Sequence, residues 1–253
     1  MDCIFDGGII EIHGEHRVMR GDLWRVGGAI GGKARTCWYL AQGAKGLVTS
    51  GSRASPQANI VAQVAQRLGI PCRVHTPEGT LSPELLLARK AGAVIVQHKA
   101  GYNNVIIARA REDAKMQGWI NIPFGMECQE AVEQTAKQVA CITHQTQRII
   151  IPVGSGMSLA GLLHGLNRRN LSIPVLGVVV GASPERRLKK FAPFGWRNAV
   201  TLVPSGSDYH KPAVNTMLGD LHLDSHYEAK CLPFLQPDDL MWVVGVRASE
   251  STV

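Results

Sequence analysis

The sequence predicts an α/β protein built from parallel sheets flanked by helices. Three observations carry this expectation. Short apolar, strand-like runs alternate with helix-like stretches over most of the 253 residues. No repeat, low-complexity tract or long linker interrupts them. Hydrophobic residues make up 45% of the chain, enough to fill the core of one large domain or of two small ones sharing a cleft.

Taken in order, residues 34–42 (ARTCWYLAQ) are helix-like, and 46–49 (GLVT) form a strand running into a turn. A helix follows over 59–69, closed by Gly69, then a strand over 72–76. Residues 82–92 read as a helix, with Ser82 as its cap and Pro83 in the first turn. The segment 93–97 is a strand, 102–118 is helical in composition, and after WINIP another helix runs through Gln138. The strand RIIIP (148–152), the helix 158–169, the buried strand 174–180 and a last strand over 240–246 complete the pattern. In sheets of this kind ligands bind beyond the carboxyl ends of strands, so the loops after strands are expected to carry the chemistry.

Composition narrows the function classes. Global disorder is excluded by the apolar content, and no run of 18 uncharged apolar residues predicts a membrane span. The N-terminal MDCIFDGGIIEIHGEHR has an early acid and no long apolar stretch, unlike a signal peptide, so a cytoplasmic setting is expected. The six cysteines are scattered, fitting neither a zinc ribbon nor a redox pair, and His222 with His226 lacks a third ligand, so no metal is expected. The formal net charge of +7 suits an anionic partner but is also common in enzymes without one. Arg186, Arg187, Lys189 and Lys190 interleave with Phe191, Phe194 and Trp196. That pattern fits either a nucleic-acid contact or a solvated helix end with its core anchors.

Three loops stand out. Gly154, Ser155, Gly156, Met157 and Ser158 lie between the strand RIIIP and a helix. Glycines there allow close backbone approach to an anion, and the helix start aims N–H groups and a dipole at it. The spacing matches neither the triphosphate loop GxxxxGK[ST] nor GxGxxG, so a single phosphate monoester fits best. The stretch Thr49 to Gln57 is rich in hydroxyls and opens a helix. It is read as a grip for a carboxylate or phosphate, as N-capping by Ser55 with Pro56 at the first helical position, or as both. Upstream, Gly31-Gly32-Lys33 places a lysine amine beside flexible backbone. An amine, a phosphate cup and a hydroxyl-rich loop together make the parts list for pyridoxal 5′-phosphate.

The stretch GGKARTCWYLAQGAKGLVTSGSRASPQANIVAQVAQRLGIPCRV resembles fold-type II pyridoxal-phosphate enzymes, most of all the aminocyclopropane-carboxylate deaminase and D-cysteine desulfhydrase branch. PVGSGMSLAGL resembles that family's phosphate loop, and DSHYEAK (224–230) its DPVYEGK. The resemblance covers most of residues 28–245. It implies a two-domain, tryptophan synthase β-like fold, with a larger cofactor-binding domain from 1–45 plus 140–253 and a smaller one from 46–139. Carried over, Lys33 becomes the Schiff-base lysine and proton shuttle, and Gly154, Ser155, Gly156, Met157 and Ser158 cradle the phosphate. Ser55 and Gln57 face the substrate carboxylate. Tyr227 and Tyr209 take catalytic positions, and Glu228 approaches the pyridine nitrogen as a carboxylate, the alternative for it being a surface helix acid. A homodimer is also implied.

The departures bear on the substrate. Gly32 and Pro56 replace family asparagines, Arg53 adds a cation to the carboxylate loop, and Gly245-Val246-Arg247 stands where relatives have a Gly-Gly turn. The chain is also shorter than those relatives. Compact members of the superfamily are encoded by phages that hypermodify thymidine. The resemblance to them implies a decarboxylase acting on an amino-acid group attached to DNA. The alternatives are a deaminase or desulfhydrase on a small free amino acid, and a non-catalytic protein binding pyridoxal phosphate or nucleic acid.

Overall fold

The structure is a computed structural model that describes residues 2–99 and 102–245. The chain divides into two compact units. One is built mainly from Trp24–Glu130, the other from Phe5–Leu23 with the described residues from Ala131 onward.

The first unit holds a four-stranded parallel sheet in the order Val94–His98, Cys72–Pro77, Leu47–Ser50, Ile120–Ile122. The helices Gly32–Leu40, Gln57–Leu68, Pro83–Lys90 and Asn103–Gln117 accompany it. The central strand Leu47–Ser50 is buried along its whole length, as a strand covered on both faces requires. The helix Gln57–Leu68 turns Ala58, Val61, Ala62, Val64 and Ala65 inward, and Ser82 caps its helix by accepting from the Leu85 N–H at 3.4 Å.

The second unit holds a six-stranded sheet in the order Ile10–His13, His16–Arg20, Asp239–Val243, Arg148–Val153, Val175–Val179, Val200–Pro204. The first two strands form an antiparallel hairpin, and every other neighbouring pair is parallel. Ile149, Ile150 and Ile151 of the strand Arg148–Val153 are inaccessible to solvent, beside Leu162, Val178 and Met241.

Two features depart from the sequence-based expectation. The hairpin falls outside the expectation because charged residues break its apolar runs, Glu11 within Ile10–His13 and Arg17 and Arg20 within His16–Arg20; the short strand Val200–Pro204 also falls outside it. The boundaries also shift. Residues 24–45, expected with the larger domain, group with the first unit, because Gly32–Leu40 packs its buried Ala34 and Cys37 alongside Gln57–Leu68. At the other end, residues 131–139 group with the second unit, where Glu133 forms a bidentate pair with Arg168.

Candidate active site

In the second unit, the loop after the strand Arg148–Val153 runs directly into the helix Met157–Arg168, so its backbone is fixed at both ends. Gly156 sits at the helix N-cap with φ 86°, a left-handed conformation that glycine adopts without strain. A Cβ there would stand 3.0 Å from Pro184 Cβ and 3.3 Å from Leu188 Cγ. Gly154 donates its N–H to Tyr227 Oη at 2.7 Å, and a Cβ on Gly154 would lie 3.1 Å from that oxygen. Ser155 Oγ lies 3.5 Å from the Met157 N–H. The first-turn N–H groups of the helix, Ser158 among them, have no intrahelical acceptor and carry the positive end of its dipole.

Beneath this loop lies the turn that begins at Asp224. The Asp224 carbonyl accepts from the N–H groups of Tyr227 and Ala229, at 3.2 and 3.0 Å, and its carboxylate accepts from the His226 N–H at 2.8 Å. These bonds aim Tyr227 upward, where its hydroxyl also donates to the Pro152 carbonyl at 3.2 Å. Tyr227 thus ties the strand end to the loop, and burial raises its phenol far above the ordinary value.

The next residue, Glu228, is fully buried, which removes the surface-acid alternative. Its Oε1 accepts from the N–H groups of Val244 and Gly245, both at 3.1 Å, while Oε2 is buried with no hydrogen-bond partner among the described residues. Burial first, then the nearby Asp224 charge, pushes this carboxyl well above the usual carboxylate range. The protein alone therefore favours the neutral acid, where the sequence suggested a standing carboxylate. Val246 and Arg247, noted as a departure from the family turn, lie outside the described residues.

Tyr209, half-buried after the strand Val200–Pro204, packs edge-on to His210 at 5.2 Å between ring centroids. Its loop is held by Lys230, which the sequence reading assigned no role. Lys230 is 3% exposed and donates to the carbonyls of Asp208 and Tyr209 at 2.6 and 3.3 Å. Nothing local marks it, since its partners lie about twenty residues away.

In the first unit, Lys33 is the second residue of the helix Gly32–Leu40 and half-buried, and Gly31, at φ 86°, is that helix's N-cap. Arg35, two residues on, is 1% exposed, another buried cation the sequence reading passed over. Ser55 Oγ accepts from the Gln57 N–H at 3.3 Å, but the helix begins at Gln57 with Pro56, in helical dihedrals, at its N-cap, one residue later than the expected Ser55 cap. Gln57 departs from expectation. Its Nε2 donates to Thr49 Oγ1 at 3.0 Å and the Pro123 carbonyl at 2.8 Å, and its Oε1 accepts from the Gly125 N–H at 2.8 Å. Both amide donors are engaged within the protein, so this side chain braces the loop instead of presenting donors to a carboxylate. Arg53 is exposed and lies against the Gly79–Thr80 turn, its Nη1 3.4 Å from the Thr80 carbonyl. Ser82 Oγ donates to the Arg53 carbonyl.

These groups fit pyridoxal phosphate. The Gly154–Ser158 loop offers close backbone approach and a helix N-terminus to a phosphate. Glu228 offers a buried, partnerless oxygen of the kind a heterocyclic nitrogen satisfies.

The comparisons agree with this chemistry. A curated L-threonine ammonia-lyase from Geobacter sulfurreducens is 27% identical over 176 residues, covering 68% of this chain and 43% of that protein. Among solved structures, an ACC deaminase homologue superposes with a TM-score of 0.73 at 22% identity, covering 91% of this chain and 83% of that one. Threonine deaminase isoform 2 from Solanum lycopersicum gives 0.67 at 16% identity, with 96% and 85% covered. The structural likenesses are of fold, and the chain spans less than half the length of the curated relative. Residues 30–216 match the family of pyridoxal-phosphate dependent enzymes, and the chain belongs to that family, with pyridoxal phosphate as its cofactor.

Proposed function

We propose that the protein is a lyase that releases ammonia from a small free amino acid by breaking bonds at its α-carbon. The observation that carries this reading is the buried, partnerless Oε2 of Glu228, one residue from the tyrosine that grips the phosphate loop. When bound, pyridoxal phosphate supplies an electron sink for negative charge developing at the α-carbon. An acid at the ring nitrogen strengthens that sink, because it keeps a proton on or beside the nitrogen. The similar proteins named as ammonia-lyases and deaminases favour elimination of nitrogen as the outcome.

In this reading the chain's own residues divide the work. Lys33 Nζ would anchor the cofactor and, as a free amine, would take or return a proton at the substrate carbon. Gly154, Ser155, Gly156, Met157 and Ser158 bind the phosphate. Tyr227 fixes the height of that loop, and Glu228 holds the proton shared with the ring nitrogen. Ser55 and the first turn of the helix Gln57–Leu68 bind the substrate carboxylate, with Gln57 as the brace beneath. Arg53 supplies charge to the substrate side, and Tyr209 closes over the reacting group. A cytoplasmic homodimer is part of the proposal. Among the described residues, no helix is long and apolar enough to cross a membrane.

A second reading, decarboxylation of an amino-acid group carried on thymidine in DNA, is favoured by the net charge of +7 and by Pro56 and Arg53 in the carboxylate loop. One experiment separates the two. The purified holoenzyme is incubated with L-threonine, aminocyclopropane-carboxylate and D-cysteine, and separately with DNA bearing aminoacyl thymidine. Ammonia and 2-oxo acid from a free amino acid support the lyase. Loss of carbon dioxide from the DNA-borne group alone, seen by nucleoside mass spectrometry, overturns it.

A further inference from the structure

The second unit contains a cavity of about 460 Å³ that the chemistry above does not use. It opens at the amino ends of the strands Val175–Val179 and Val200–Pro204, with Pro174, Val175 and Val200 in its wall. The phosphate loop leaves the carboxyl end of the neighbouring parallel strand Arg148–Val153, so the cavity lies at the opposite edge of the same sheet. Strands of five or six residues place the two edges about 17 Å apart.

The cavity has an apolar floor and polar corners. Leu163, Leu166 and Ile173 supply the floor, while Asn167, Ser172 and Asn198 add hydrogen-bonding groups. At its mouth Phe194 is wholly exposed. Arg197 stacks on the Trp196 ring at 4.5 Å and pairs with Glu185 at 2.6 Å, which ties the helix Glu185–Phe191 to the mouth. His164 Nε2, 2.9 Å from the Phe191 carbonyl, ties the end of that helix to the helix Met157–Arg168 behind the cavity.

The helix itself is cationic. It carries Arg186, Arg187, Lys189 and Lys190 against the single acid Glu185, with Lys189 and Lys190 exposed. A cavity with an apolar floor and amide corners, an exposed aromatic at its lip and a cationic helix tied to its mouth are elements that hold an unstacked base and its backbone phosphates.

We infer that this face is a docking site for single-stranded nucleic acid, with one base in the cavity beside Phe194 and the flanking phosphates on Lys189 and Lys190. The site anchors a strand and takes no part in the chemistry at the phosphate loop. It stands whether or not the lyase reading holds.

The test titrates the holoprotein into a fluorescein-labelled single-stranded DNA of about a dozen nucleotides and follows anisotropy at several salt concentrations. Binding should weaken as salt rises. The double variant Lys189→Gln/Lys190→Gln should flatten the log–log salt slope by about 1.4, the value for two phosphate contacts on a single strand. Phe194→Ala should weaken binding at least about fivefold through lost base stacking. Both variants should keep the melting temperature and the cofactor absorbance of the parent. Absence of binding at low salt overturns the proposal. So does binding indifferent to all three substitutions, or a mononucleotide binding as tightly as the strand. Self-association that Phe194→Ala abolishes, without DNA binding, would assign the face to a second copy of this chain and equally overturn it.

Discussion

The backbone N–H of Gly154 donates to Tyr227 Oη at 2.7 Å, and the same hydroxyl donates to the carbonyl of Pro152. One phenol thus spans the point where the strand Arg148–Val153 ends and the phosphate loop begins. Tyr227→Phe removes both bonds while keeping the ring that fills the space. A net loss of about 1 kcal/mol per hydrogen bond predicts cofactor affinity at least about fivefold weaker. A pyridoxal-phosphate titration followed by absorbance reads this directly, and parental affinity in the variant would show that the loop holds its shape without the tyrosine.

Gly156 makes a sharper demand. A valine there would be β-branched at φ 86°, with its Cβ 3.0 Å from Pro184 Cβ. Gly156→Val should cost about 1–3 kcal/mol of stability from backbone strain and reduce cofactor binding sharply, while the sheet persists by circular dichroism. An unchanged denaturation midpoint would mean that the loop adopts another conformation at little cost.

Lys33 is assigned the covalent attachment. Borohydride reduction of the holoprotein should leave a phosphopyridoxyl mass on the peptide containing Lys33, and Lys33→Ala should abolish the label. Lys230, a buried lysine near proposed site residues, has its amine held by the carbonyls of Asp208 and Tyr209. Label on Lys230 or Lys45 would refute the assignment.

The buried carboxyl of Glu228 gives a pH signature in the cofactor-free protein. Its pKa in the fold lies above the unfolded value, so its contribution to stability is complete below about pH 4.5 and is lost as pH rises toward the folded value. Glu228→Gln keeps the shape and removes that loss. The variant without cofactor should melt higher than the parent at neutral pH and with a flatter pH dependence, while losing catalytic competence. A variant that melts lower at neutral pH would indicate that Glu228 is held there as a charged group.

A second pH response belongs to the first unit. Asp113 accepts from Arg73 Nε at 2.6 Å and from His75 Nε2 at 2.7 Å; His75 Nδ1 in turn lies 2.8 Å from His98 Nε2, and Arg109 donates to His98 Nδ1 at 2.9 Å. The chain of donors is complete only when both imidazoles are neutral. Burial, then the neighbouring His75 imidazole and the Arg109 guanidinium, lowers the His98 pKa. Stability from this group is therefore present above about pH 6.5 and declines as pH falls through the depressed folded value. Asp113, also lowered, adds a loss below about pH 4. His98→Gln should flatten the fall in melting temperature between pH 7 and 5, and an unaltered profile would place the acid-sensitive step elsewhere.

What depends on neighbours in the chain was legible from the residues alone. The parallel α/β architecture follows from alternating apolar runs, and the phosphate loop from a strand, two glycines and a helix within a dozen residues. The Ser82 cap and the bond from the Gln57 N–H to Ser55 Oγ are equally local, because such side chains reach N–H groups two or three residues away. Tertiary structure decided the rest. Gln57 reads locally as a ligand-facing amide, yet Thr49, Pro123 and Gly125 take its hydrogen bonds from 8 to 68 residues away. Glu228 reads locally as a helix acid, yet the backbone of Val244 and Gly245 closes over it and burial changes its preferred protonation state. The hairpin of Ile10–His13 and His16–Arg20 becomes part of a sheet only because Asp239–Val243 arrives beside it from the far end of the chain. A side chain's hydrogen bonds and its dielectric surroundings are set by whatever packs against it, and for these residues that was chain folded in from a distance.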